Sequence, residues 1–469
     1  MNLYRELALE LARGIESGIY QPGDKLPGIR LTSSNMGVSP ATAVAAYQQL
    51  ELDGYIEARP RSGFYVKPRQ RPRLAEPVQT GTKPERPRLV TGQERVLRLA
   101  EQANHPEVVK FGAAVPDPHY LPTRAVEKAL AAAARQHRAR ICSYEFPLGA
   151  DCLRRQLARR MSDIGCLSKP EDVLITSGCQ EAVYLALKSL TQPGDVIALE
   201  SPTYHGHLQT ADSLGLKAVE IPTHPRTGIS LDALELALDQ WPVKACVVIP
   251  NFSNPLGACM PEKNKKALVK LMARYDVPII EDDIYGDLAF NQKRPSVLKT
   301  YDRTGNVLHC SSFSKTMAPG LRIGWIMAGR YQDQIAYQKF ITSISAPTLQ
   351  QLAVAALLES GQYQKHLRFI RTELAQCVSN IVEAIGRYFP TGTRVSNPEG
   401  GYVLWIELPD NIDTVALAEK AIKKGISIAP GPMFSATQKY RNCMRLSCGV
   451  VWNRQTEKAL ETLAMLMTQ

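Results

Sequence analysis

The sequence predicts an α/β protein that carries a separate helical unit at its N-terminus. Three observations lead to this prediction. From about Val108 onward, short apolar strand-like runs alternate with helical stretches, as in a largely parallel sheet covered by helices. Residues 1–67 instead contain three helical stretches and two short strand-like pieces. A proline-rich, basic segment, residues 68–107, separates the two patterns.

The composition limits the class of protein. A chain of 469 residues is expected to form two or three domains, and 44% hydrophobic with 22% charged residues excludes disordered and fibrous classes. The formal net charge of +11 suggests an anionic partner. Ten cysteines, beginning at Cys142, form no CxxC pair, which argues against a disulfide framework and a zinc site, so no metal is expected.

Targeting signals are missing from the sequence pattern. The N-terminus MNLYRELALELARGIESG is amphipathic and contains Glu6 and Glu10, unlike the basic start and apolar core of a signal peptide. No run approaches the ~20 apolar residues that span a bilayer. The sequence therefore predicts a cytoplasmic protein that does not contact membranes.

The first two helices of the N-terminal unit are read from apolar spacing and from turn residues. Leu3, Leu7, Leu11 and Ile15 recur with helical spacing, and a glycine with a following Pro-Gly turn ends that helix. A second short helix is predicted from Gly28 to about Asn35. A turn at a glycine then leads to the third helix.

The third helix and a hairpin complete this unit. Ser39 is a good N-cap, and Val44, Tyr47 and Leu50 share one face of the helix that follows it. Two strand-like pieces, YIEARP and GFYVKP, are joined by a glycine-containing turn and end near Lys67. The unit is thus predicted to be three helices with a β-hairpin wing.

Charge is distributed unevenly between this unit and the segment after it. Residues 1–66 carry six basic and seven acidic residues, whereas residues 67–88 carry seven basic and two acidic residues. The proline content of the second segment predicts an extended, polyproline-like linker. The basic excess near the N-terminal unit therefore lies in the linker.

The alternating region, residues 108–469, is predicted to hold a large domain at about 120–335 and a small α+β domain at about 336–469. The predicted strands are DVLIT, DVIALE, ACVVIP, VPIIED, NVLHCSS and RIGWIMA, most of them followed by a helical stretch. A long helical region follows, and the small domain contains YVLWIELP and NCMRLSCG.

The segment SSFSKTMAPGLRIGW, residues 311–325, contains a lysine in a serine-rich turn. Lys315 follows a predicted strand, where a lysine amine that loses its proton can bond an aldehyde covalently. Arg322 can donate two parallel hydrogen bonds to a phosphate, and Ser312 can donate a third. Taken alone, the segment fits an ordinary surface lysine beside an arginine equally well.

Other polar residues follow neighbouring strands. Asp282 ends one predicted strand, with Tyr285 three residues later, and Asn254 follows another in PNFSNPLG. An aspartate at such an edge can keep a pyridine nitrogen protonated, while a tyrosine and an asparagine can bond a ring hydroxyl. The alternative for Asp282 is a solvated strand end.

Two further turns add residues to this group. In LITSGCQEAVYLAL a strand leads into a helix, where the amides of Gly178, Cys179 and Gln180 can form an anion nest. Tyr204, in ESPTYHG, can stack on a ring, or it can be simple packing. The nearby histidines, His205 and His207, read as polar groups of a loop.

Residues 108–469 resemble the fold type I pyridoxal 5'-phosphate aminotransferases, in the subgroup of the kynurenine and 2-aminoadipate enzymes. SFSK, DDIY, NPLG, SGCQ, PGLRIGW and MRLSCG occur in the family's order. The resemblance implies a mainly parallel large domain and a small α+β C-terminal domain. It also implies that Lys315 bonds the cofactor, that Asp282 pairs with the pyridine nitrogen, and that Asn254 and Tyr285 bond the ring hydroxyl.

The same resemblance assigns the remaining site residues. It places Cys179, Gln180, Ser312 and Arg322 at the cofactor phosphate and Tyr204 at the ring. Arg445, in MRLSCG, resembles the arginine that binds a substrate α-carboxylate, although alone it also fits a structural ion pair. Tyr144 resembles the tyrosine that reaches the phosphate from the other subunit, but it lies three residues before a proline where many relatives have two. Cys179 stands where serine or threonine is usual, so only its amide is expected to contact the phosphate.

Residues 1–67 resemble the winged helix-turn-helix domain of the GntR regulators, through GIYQPGDKLP, GVSPATAVAAYQQLELDGYI and a glycine-containing wing. In that family the third helix enters the major groove of DNA. Gly28 and Pro40 depart from the family pattern, and each removes a polar contact. The resemblance implies DNA contacts from Arg30, Ser39, Thr42, Arg59, Arg61 and Gly63.

A GntR-like head, a basic linker and an aminotransferase-like body together resemble the MocR subfamily of bacterial regulators. The resemblance implies a transcription regulator that binds double-stranded DNA, uses pyridoxal 5'-phosphate, and responds to an amino acid, an amine or a vitamer. It also implies a head-to-tail homodimer. The alternatives are a working amino acid aminotransferase with an accessory DNA-binding head, and a sensor of pyridoxal phosphate itself.

Overall fold

The chain divides into two compact units, residues 1–73 and residues 74–469, called the head and the body below. Each unit is described separately. The computed structural model describes residues 3–16, 19–21, 23–53, 55–59, 62–67, 74–79, 81–93, 101, 105 and 107–468.

The head contains three helices, α1 (Leu3–Glu16), α2 (Ile29–Asn35) and α3 (Pro40–Leu52). An antiparallel hairpin follows, formed by β1 (Ile56–Arg59) and β2 (Gly63–Val66). Both α1 and α2 pack against α3. The apolar residues buried between these elements include Leu7, Leu11, Tyr47, Leu50 and Ile56. The predicted three helices and wing are confirmed.

Polar contacts cap the start of α3 and tie its middle to α2 and to the segment before α2. Ser39 is the N-cap, and its side chain accepts a hydrogen bond of 3.1 Å from the amide of Thr42. The buried Tyr47 hydroxyl contacts Thr32 on α2 at 2.8 Å and donates to the carbonyl of Pro27 at 2.6 Å. The predicted N-cap is therefore confirmed, and α2 is tied to α3 through one side chain.

The strands of the body form two main sheets. Their bounds are β3 Arg88–Leu89, β4 Val109–Lys110, β5 Leu174–Thr176, β6 Val196–Ser201, β7 Lys217–His224, β8 Gly228–Ile229, β9 Val243–Val248, β10 Ile279–Asp282, β11 Val307–Ser312, β12 Gly324–Met327, β13 Arg394–Val395, β14 Val403–Glu407, β15 Ile426–Ser427, β16 Ala429–Pro430 and β17 Cys443–Ser447.

The helices of the body include one of 27 residues. Their bounds are Thr123–Gln136, Asp151–Asp163, Cys179–Leu190, His205–Ser213, Leu231–Gln240, Glu262–Arg274, Gln332–Ser343, Thr348–Glu359, Gln362–Tyr388, Thr414–Ile422 and Arg454–Met467. None of the helices in the described ranges is both long and apolar enough to cross a bilayer.

The large sheet has the strand order β3–β7–β6–β9–β10–β11–β12–β5, with β8 paired to β7. The strands β7, β6, β9, β10 and β11 are parallel to one another, whereas β12 is antiparallel to both β11 and β5. The parallel strands therefore end at one edge of the sheet, where sites of α/β proteins form. The predicted mainly parallel large domain is confirmed.

A second, antiparallel sheet has the order β13–β14–β17–β16. The short strand β4 pairs with β15, so the chain near Val109 joins the C-terminal part of the body. Helices Gln332–Ser343 and Thr348–Glu359 pack instead against Cys179–Leu190 and Thr123–Gln136, which belong to the large sheet's helical layers. The α+β character predicted for the C-terminal region is confirmed by the second sheet.

The described part of the predicted linker lies along the body. Residues 74–79 and 81–90, called the strap below, contain no helix, and their end forms β3, which pairs with β7 in antiparallel fashion. Glu76 forms an ion pair with Arg226, and the amide of Val78 donates to Glu407 at 3.1 Å. The predicted extended conformation holds here, but the segment is anchored by side-chain and strand contacts. Residues 68–73 and 94–100 lie outside the described part.

Candidate functional site

The body contains a cavity of about 350 Å³ at the carboxyl edge of the large sheet. It brings together eight of the residues predicted from the sequence, from motifs spread over more than half of the chain. These eight residues are Cys179, Gln180, Tyr204, Asn254, Asp282, Tyr285, Lys315 and Arg445.

Lys315 lies just after β11 and is half-buried. Its Nζ donates a hydrogen bond of 2.7 Å to the carbonyl of Ala114. Burial, together with the nearby positive charge of Arg445, lowers the pKa of Lys315 to about 8. About a tenth of this amine is therefore uncharged at pH 7, far more than for an ordinary lysine, and the uncharged form is the one that acts as a nucleophile.

Asp282 ends β10 and is buried beside the cavity. Its carboxylate accepts hydrogen bonds from the Cys179 thiol at 3.3 Å and from the amide of Ile284 at 3.2 Å. His207 Nε2 lies 3.2 Å from the other carboxylate oxygen. The carboxyl group is thus held by three partners and is buried, which argues against the alternative of a solvated strand end.

His207 was missed by the sequence prediction. Together with His205 it was expected to be a polar group of a loop, but both residues begin the helix His205–Ser213. His207 is 1% exposed and contacts Asp282, while His205 lines the cavity. Burial and the positive charge of Arg445 lower the pKa of His205 to about 3, so this ring is neutral.

Tyr285 and Asn254 form a pair of hydrogen-bonding groups facing the cavity. The Asn254 side-chain amide donates to the Tyr285 hydroxyl at 3.4 Å. Burial raises the pKa of Tyr285, so its hydroxyl keeps its proton and remains a donor. The ring of Tyr285 also packs edge-on against Tyr402, whose hydroxyl donates to the Ala114 carbonyl.

Arg445 projects from β17 and is 1% exposed. Its guanidinium donates to the Gly112 carbonyl and to Asn254 Oδ1, the latter at 3.4 Å. Among the described residues it has no carboxylate partner, and its Nε has no hydrogen-bond partner at all. The described residues therefore do not support the alternative of a structural ion pair, and a buried cation whose Nε has no hydrogen-bond partner among them lines the cavity.

An anion cradle lies beside the cavity at the start of the helix Cys179–Leu190. Gly178 is its N-cap, with φ 89° and no side-chain cap, so amides of the first turn are open. Arg322 donates to the Ser177 carbonyl at 2.7 Å, and a Cβ at position 178 would lie 2.4 Å from its Nη2. Only glycine therefore lets this guanidinium approach the helix start.

The remaining residues around the cradle are held by local contacts. Ser312 is buried, and its side chain accepts from the amide of Ser314 at 3.3 Å. Gln180 donates to the Gly206 carbonyl at 3.0 Å, which leaves its backbone amide, not its side chain, for an anion. Burial and the negative charge of Asp282 raise the pKa of the Cys179 thiol, which therefore stays protonated. The same two causes raise the pKa of Tyr204 to about 12.

Tyr144 does not line the cavity of its own chain. Its side chain is 64% exposed, and its ring lies 5.2 Å from that of Phe146, which in turn lies 6.0 Å from Phe340. Ile341 and Ile344 are also exposed on the same stretch of helix and its end. Tyr144 therefore belongs to an exposed apolar surface of the body.

Of the predicted DNA contacts, Arg30, Ser39, Arg59 and Gly63 lie at exposed positions of the head and Thr42 is half-buried, while Arg61 is outside the described residues. Arg30 is exposed and has no hydrogen-bond or ion-pair partner in the described part of the chain. Ser39 and Thr42 hydroxyls lie 2.8 Å apart at the start of α3. Arg59 is bound to Glu57 at 2.8 Å and covers the Tyr65 ring, beside the exposed Gly63.

Comparison with known proteins divides the chain in the same way. Residues 106–463 match the family "Aminotransferase class I and II", and residues 3–66 match "Bacterial regulatory proteins, gntR family". The chain is 40% identical to the Escherichia coli protein named uncharacterized HTH-type transcriptional regulator YjiR, over 99% of this chain and 98% of that protein. The predicted pairing of a GntR-type head with an aminotransferase-type body is confirmed.

Two solved structures resemble the body. Pyrococcus horikoshii kynurenine aminotransferase, described as a complex with PMP, superimposes with a TM-score of 0.75 at 28% identity, covering 80% of this chain and 94% of that one. The Thermus thermophilus α-aminoadipate aminotransferase LysN, complexed with N-(5'-phosphopyridoxyl)-L-leucine, gives a TM-score of 0.73 at 26% identity, covering 81% and 98%. The predicted fold type of the body is confirmed.

Proposed function

Since this chain belongs to the class I and II aminotransferase family and carries a gntR-family domain at its N-terminus, we propose that it is a MocR-type transcription regulator that holds pyridoxal 5'-phosphate. The observation that carries the proposal is the similarity to a named transcription regulator over both units, at 40% identity across 99% of the chain. A stand-alone enzyme would match over the body only. The body is then the sensor, and the head reads DNA.

The residues of the cavity fit this cofactor. When bound, pyridoxal 5'-phosphate supplies an aldehyde on an electron-withdrawing ring. In the proposal Lys315 bonds the aldehyde, and Asp282, fixed by His207, pairs with the ring nitrogen. Tyr285 and Asn254, 3.4 Å apart, bond the ring hydroxyl. The fit is supported by a partly neutral amine and a buried, well-oriented carboxylate in one cavity.

The phosphate fits the anion cradle. The uncapped amides after Gly178, the Arg322 guanidinium and the Ser312 hydroxyl supply donors of the kind that phosphates prefer. The observation that supports this placement is the close approach of Arg322 to Gly178, which excludes a Cβ there. The two related aminotransferase structures are complexes with PMP and with a phosphopyridoxyl ligand, which agrees with this choice.

The effector is proposed to be an amino acid, with its α-carboxylate on Arg445. A fully buried guanidinium needs a compensating anion, and the Nε of Arg445 has no hydrogen-bond partner among the described residues. A primary amine or a vitamer would leave that donor unpaired. The amine of the ligand would lie near Lys315, which shares the cavity.

The protein is proposed to be a homodimer that acts in the cytoplasm, where it reaches chromosomal DNA. The exposed apolar surface that contains Tyr144, Phe146 and Phe340 supports a dimer interface on the body. In this arrangement Tyr144 would reach the partner's cofactor phosphate. Two heads per dimer would read two half-sites, in a head-to-tail arrangement.

Capture of genomic DNA tests the function. We expect the full chain, loaded with pyridoxal 5'-phosphate, to retain a small set of fragments whose binding changes when an amino acid is added. Arg30→Ala should weaken binding to all fragments and lower the slope of log affinity against log salt by about 1 per head, or about 2 per bound dimer, because it removes one phosphate contact from each head. Arg59→Ala should lower it less, since Glu57 already pairs with Arg59.

The matched control is Arg13→Ala, an exposed arginine on α1 of the same head, which should leave the slope unchanged. Fragment binding that is unaffected by amino acids, together with repeated turnover of an amino acid and a keto acid, would favour the enzyme with an accessory head. Binding that responds to pyridoxal 5'-phosphate alone would favour the vitamer sensor. Equal salt slopes for wild type and Arg30→Ala would contradict the assignment of Arg30.

Attachment of the cofactor should depend on pH in a defined way. The neutral amine is the reactive form, so the initial rate should rise about tenfold per pH unit below the lowered pKa of Lys315 and level off above about 8. The measurement is the absorbance change after mixing cofactor-free chain with pyridoxal 5'-phosphate. Free N-acetyl-lysine, with its ordinary pKa, should keep accelerating to about pH 10. A chain that behaves like this control would contradict the lowered pKa.

A further inference from the structure

Residues 431–440, called the rim segment below, contribute one residue to the lining of the cavity. Met433 lines the cavity, and the Phe434 ring lies 5.5 Å from the guanidinium of Arg445. The carbonyl of Phe434 accepts from the amide of Thr203, next to Tyr204. A ligand that settles against Arg445 or Tyr204 therefore meets the rim segment.

Glu220 holds the rim segment from the side of the large sheet. This glutamate lies on β7 and is 5% exposed. It accepts hydrogen bonds from the Ser435 hydroxyl at 3.2 Å, the Ala436 amide at 3.1 Å and the Thr437 hydroxyl at 2.9 Å. Three consecutive residues are thus bound by one buried carboxylate, which fixes the segment as a unit.

Lys439 connects this unit to the strap. Its Nζ lies 2.9 Å from Glu85 Oε1 on the strap and 3.8 Å from Glu220 Oε2. Gln438 and Tyr440 on either side of it have φ of 54° and 65°, values that residues with a Cβ rarely adopt. Such backbone persists only where surrounding contacts impose it. The position of Lys439 is therefore set jointly by the strap, by Glu220 and by the backbone of the rim segment.

The strap has a second ionic anchor that does not involve the rim segment. Glu76 pairs with Arg226, which lies on the turn after β7, and both residues belong to the body. The two anchors thus differ in one respect: of the two glutamates, only Glu85 contacts a residue of the rim segment, Lys439. This difference supplies a matched control.

We propose that the contact of Glu85 with Lys439 couples the cavity to the strap, so that ligand binding and strap docking strengthen each other. This inference rests on the proposed function for the identity of the ligand, but the contact itself does not. A ligand that fixes the rim segment places Lys439 against Glu85 and holds the strap on β7. By thermodynamic linkage, a docked strap raises ligand affinity by the same factor. In the sequence, residues 68–73 join the strap to the head, so strap docking acts on the segment that precedes the body and follows the DNA-binding part of the chain.

Amide hydrogen exchange of the full chain, with and without pyridoxal 5'-phosphate, tests the coupling. The strap reports through amides such as Val78 and Val90, which bond Glu407 and the Leu216 carbonyl. In the wild type we expect the cofactor to slow strap exchange. Lys439→Gln and Glu85→Gln should each abolish most of that slowing and weaken cofactor binding by about two- to fivefold, the range for a partly exposed ion pair.

Glu76→Gln is the control. This variant should have faster strap exchange than the wild type, and the cofactor should still slow that exchange. Its affinity for the cofactor should stay at the wild-type value. The double variant of Glu85 and Lys439 should be no worse than either single variant, because both remove the same contact. The proposal would be overturned if the two substitutions weakened cofactor binding additively. It would also be overturned if the cofactor still slowed strap exchange in Lys439→Gln.

A cofactor-free arm separates this inference from the proposed function. Without any ligand, Lys439→Gln should speed exchange in the strap and in the rim segment together, whereas Glu76→Gln should speed it in the strap alone. If titration with pyridoxal 5'-phosphate gives no absorbance change, the proposed cofactor is wrong. The cofactor-free comparison still tests whether the strap and the rim segment are coupled. Unchanged exchange of the rim segment in both Lys439→Gln and Glu85→Gln would refute it.

Discussion

Lys315→Ala is expected to abolish covalent attachment of pyridoxal 5'-phosphate. Its Nζ is the lysine amine that lines the cavity, and its only hydrogen bond in the described part of the chain goes to the Ala114 carbonyl. The fully buried lysines of the described residues are held elsewhere: Lys265 bonds Asn251, and Lys339 pairs with Glu181. After borohydride reduction, mass spectrometry should find stoichiometric label in the wild type and background label in the variant.

Lys266→Ala serves as the control, because this exposed lysine lies outside the cavity and should keep full labelling. The Lys315→Ala variant should still bind the cofactor reversibly through Asp282 and the anion cradle. Full labelling of Lys315→Ala at another lysine would contradict the site. Retained DNA binding in this variant, with the amino acid response lost, is the result expected of a regulator.

Arg445→Lys is expected to weaken binding of amino acid effectors by about 10- to 100-fold, the value of one or two hydrogen bonds to a charged group. Lysine keeps the positive charge but loses the planar fork that matches a carboxylate, and it cannot bond Gly112 and Asn254 as arginine does. Amines that lack the carboxylate should bind both forms equally. Titration of the cofactor-loaded chain by absorbance measures both ligands.

Arg441→Lys is the matched control, since Arg441 is exposed on the same part of the chain and pairs with Asp413. It should leave both ligand classes unaffected. If the wild-type chain binds an amine and its parent amino acid with the same affinity, Arg445 does not read a carboxylate. The choice of an amino acid over an amine would then be wrong.

The sequence predicts the core of the site because its residues follow strands of one parallel sheet. Asp282 and Lys315 lie 33 positions apart in the sequence, yet both follow strands that end at the same edge. The end of each strand can be predicted from the end of its apolar run. Because the strands are parallel, their carboxyl ends lie at the same edge of the sheet. The sequence can therefore predict that these side chains share one cavity without information on contacts between distant segments of the chain.

The parts that were missed depend on contacts between distant segments. His207 contacts Asp282, which lies 75 residues later in the sequence. The residues next to His207 in the sequence do not indicate that it is buried at the start of a helix. The strand β7 is not predicted, since Glu220 interrupts its apolar pattern, and that carboxylate is stable there only because the rim segment binds it. The antiparallel direction of β12 and the anchoring of the strap were missed for the same reason. Each is set by a contact with another segment of the chain.

The strand β3 has a consequence for domain exchange between related proteins. Because Arg88 and Leu89 complete one side of the large sheet, this piece of the chain is inherited with the body, although its composition resembles a spacer. A chimera that joins a foreign head at residue 73 would keep the strand and the strap. A junction placed after residue 90 would remove them and expose a sheet edge open to aggregation. Recombination between such regulators should therefore be tolerated better upstream of the strap than after it.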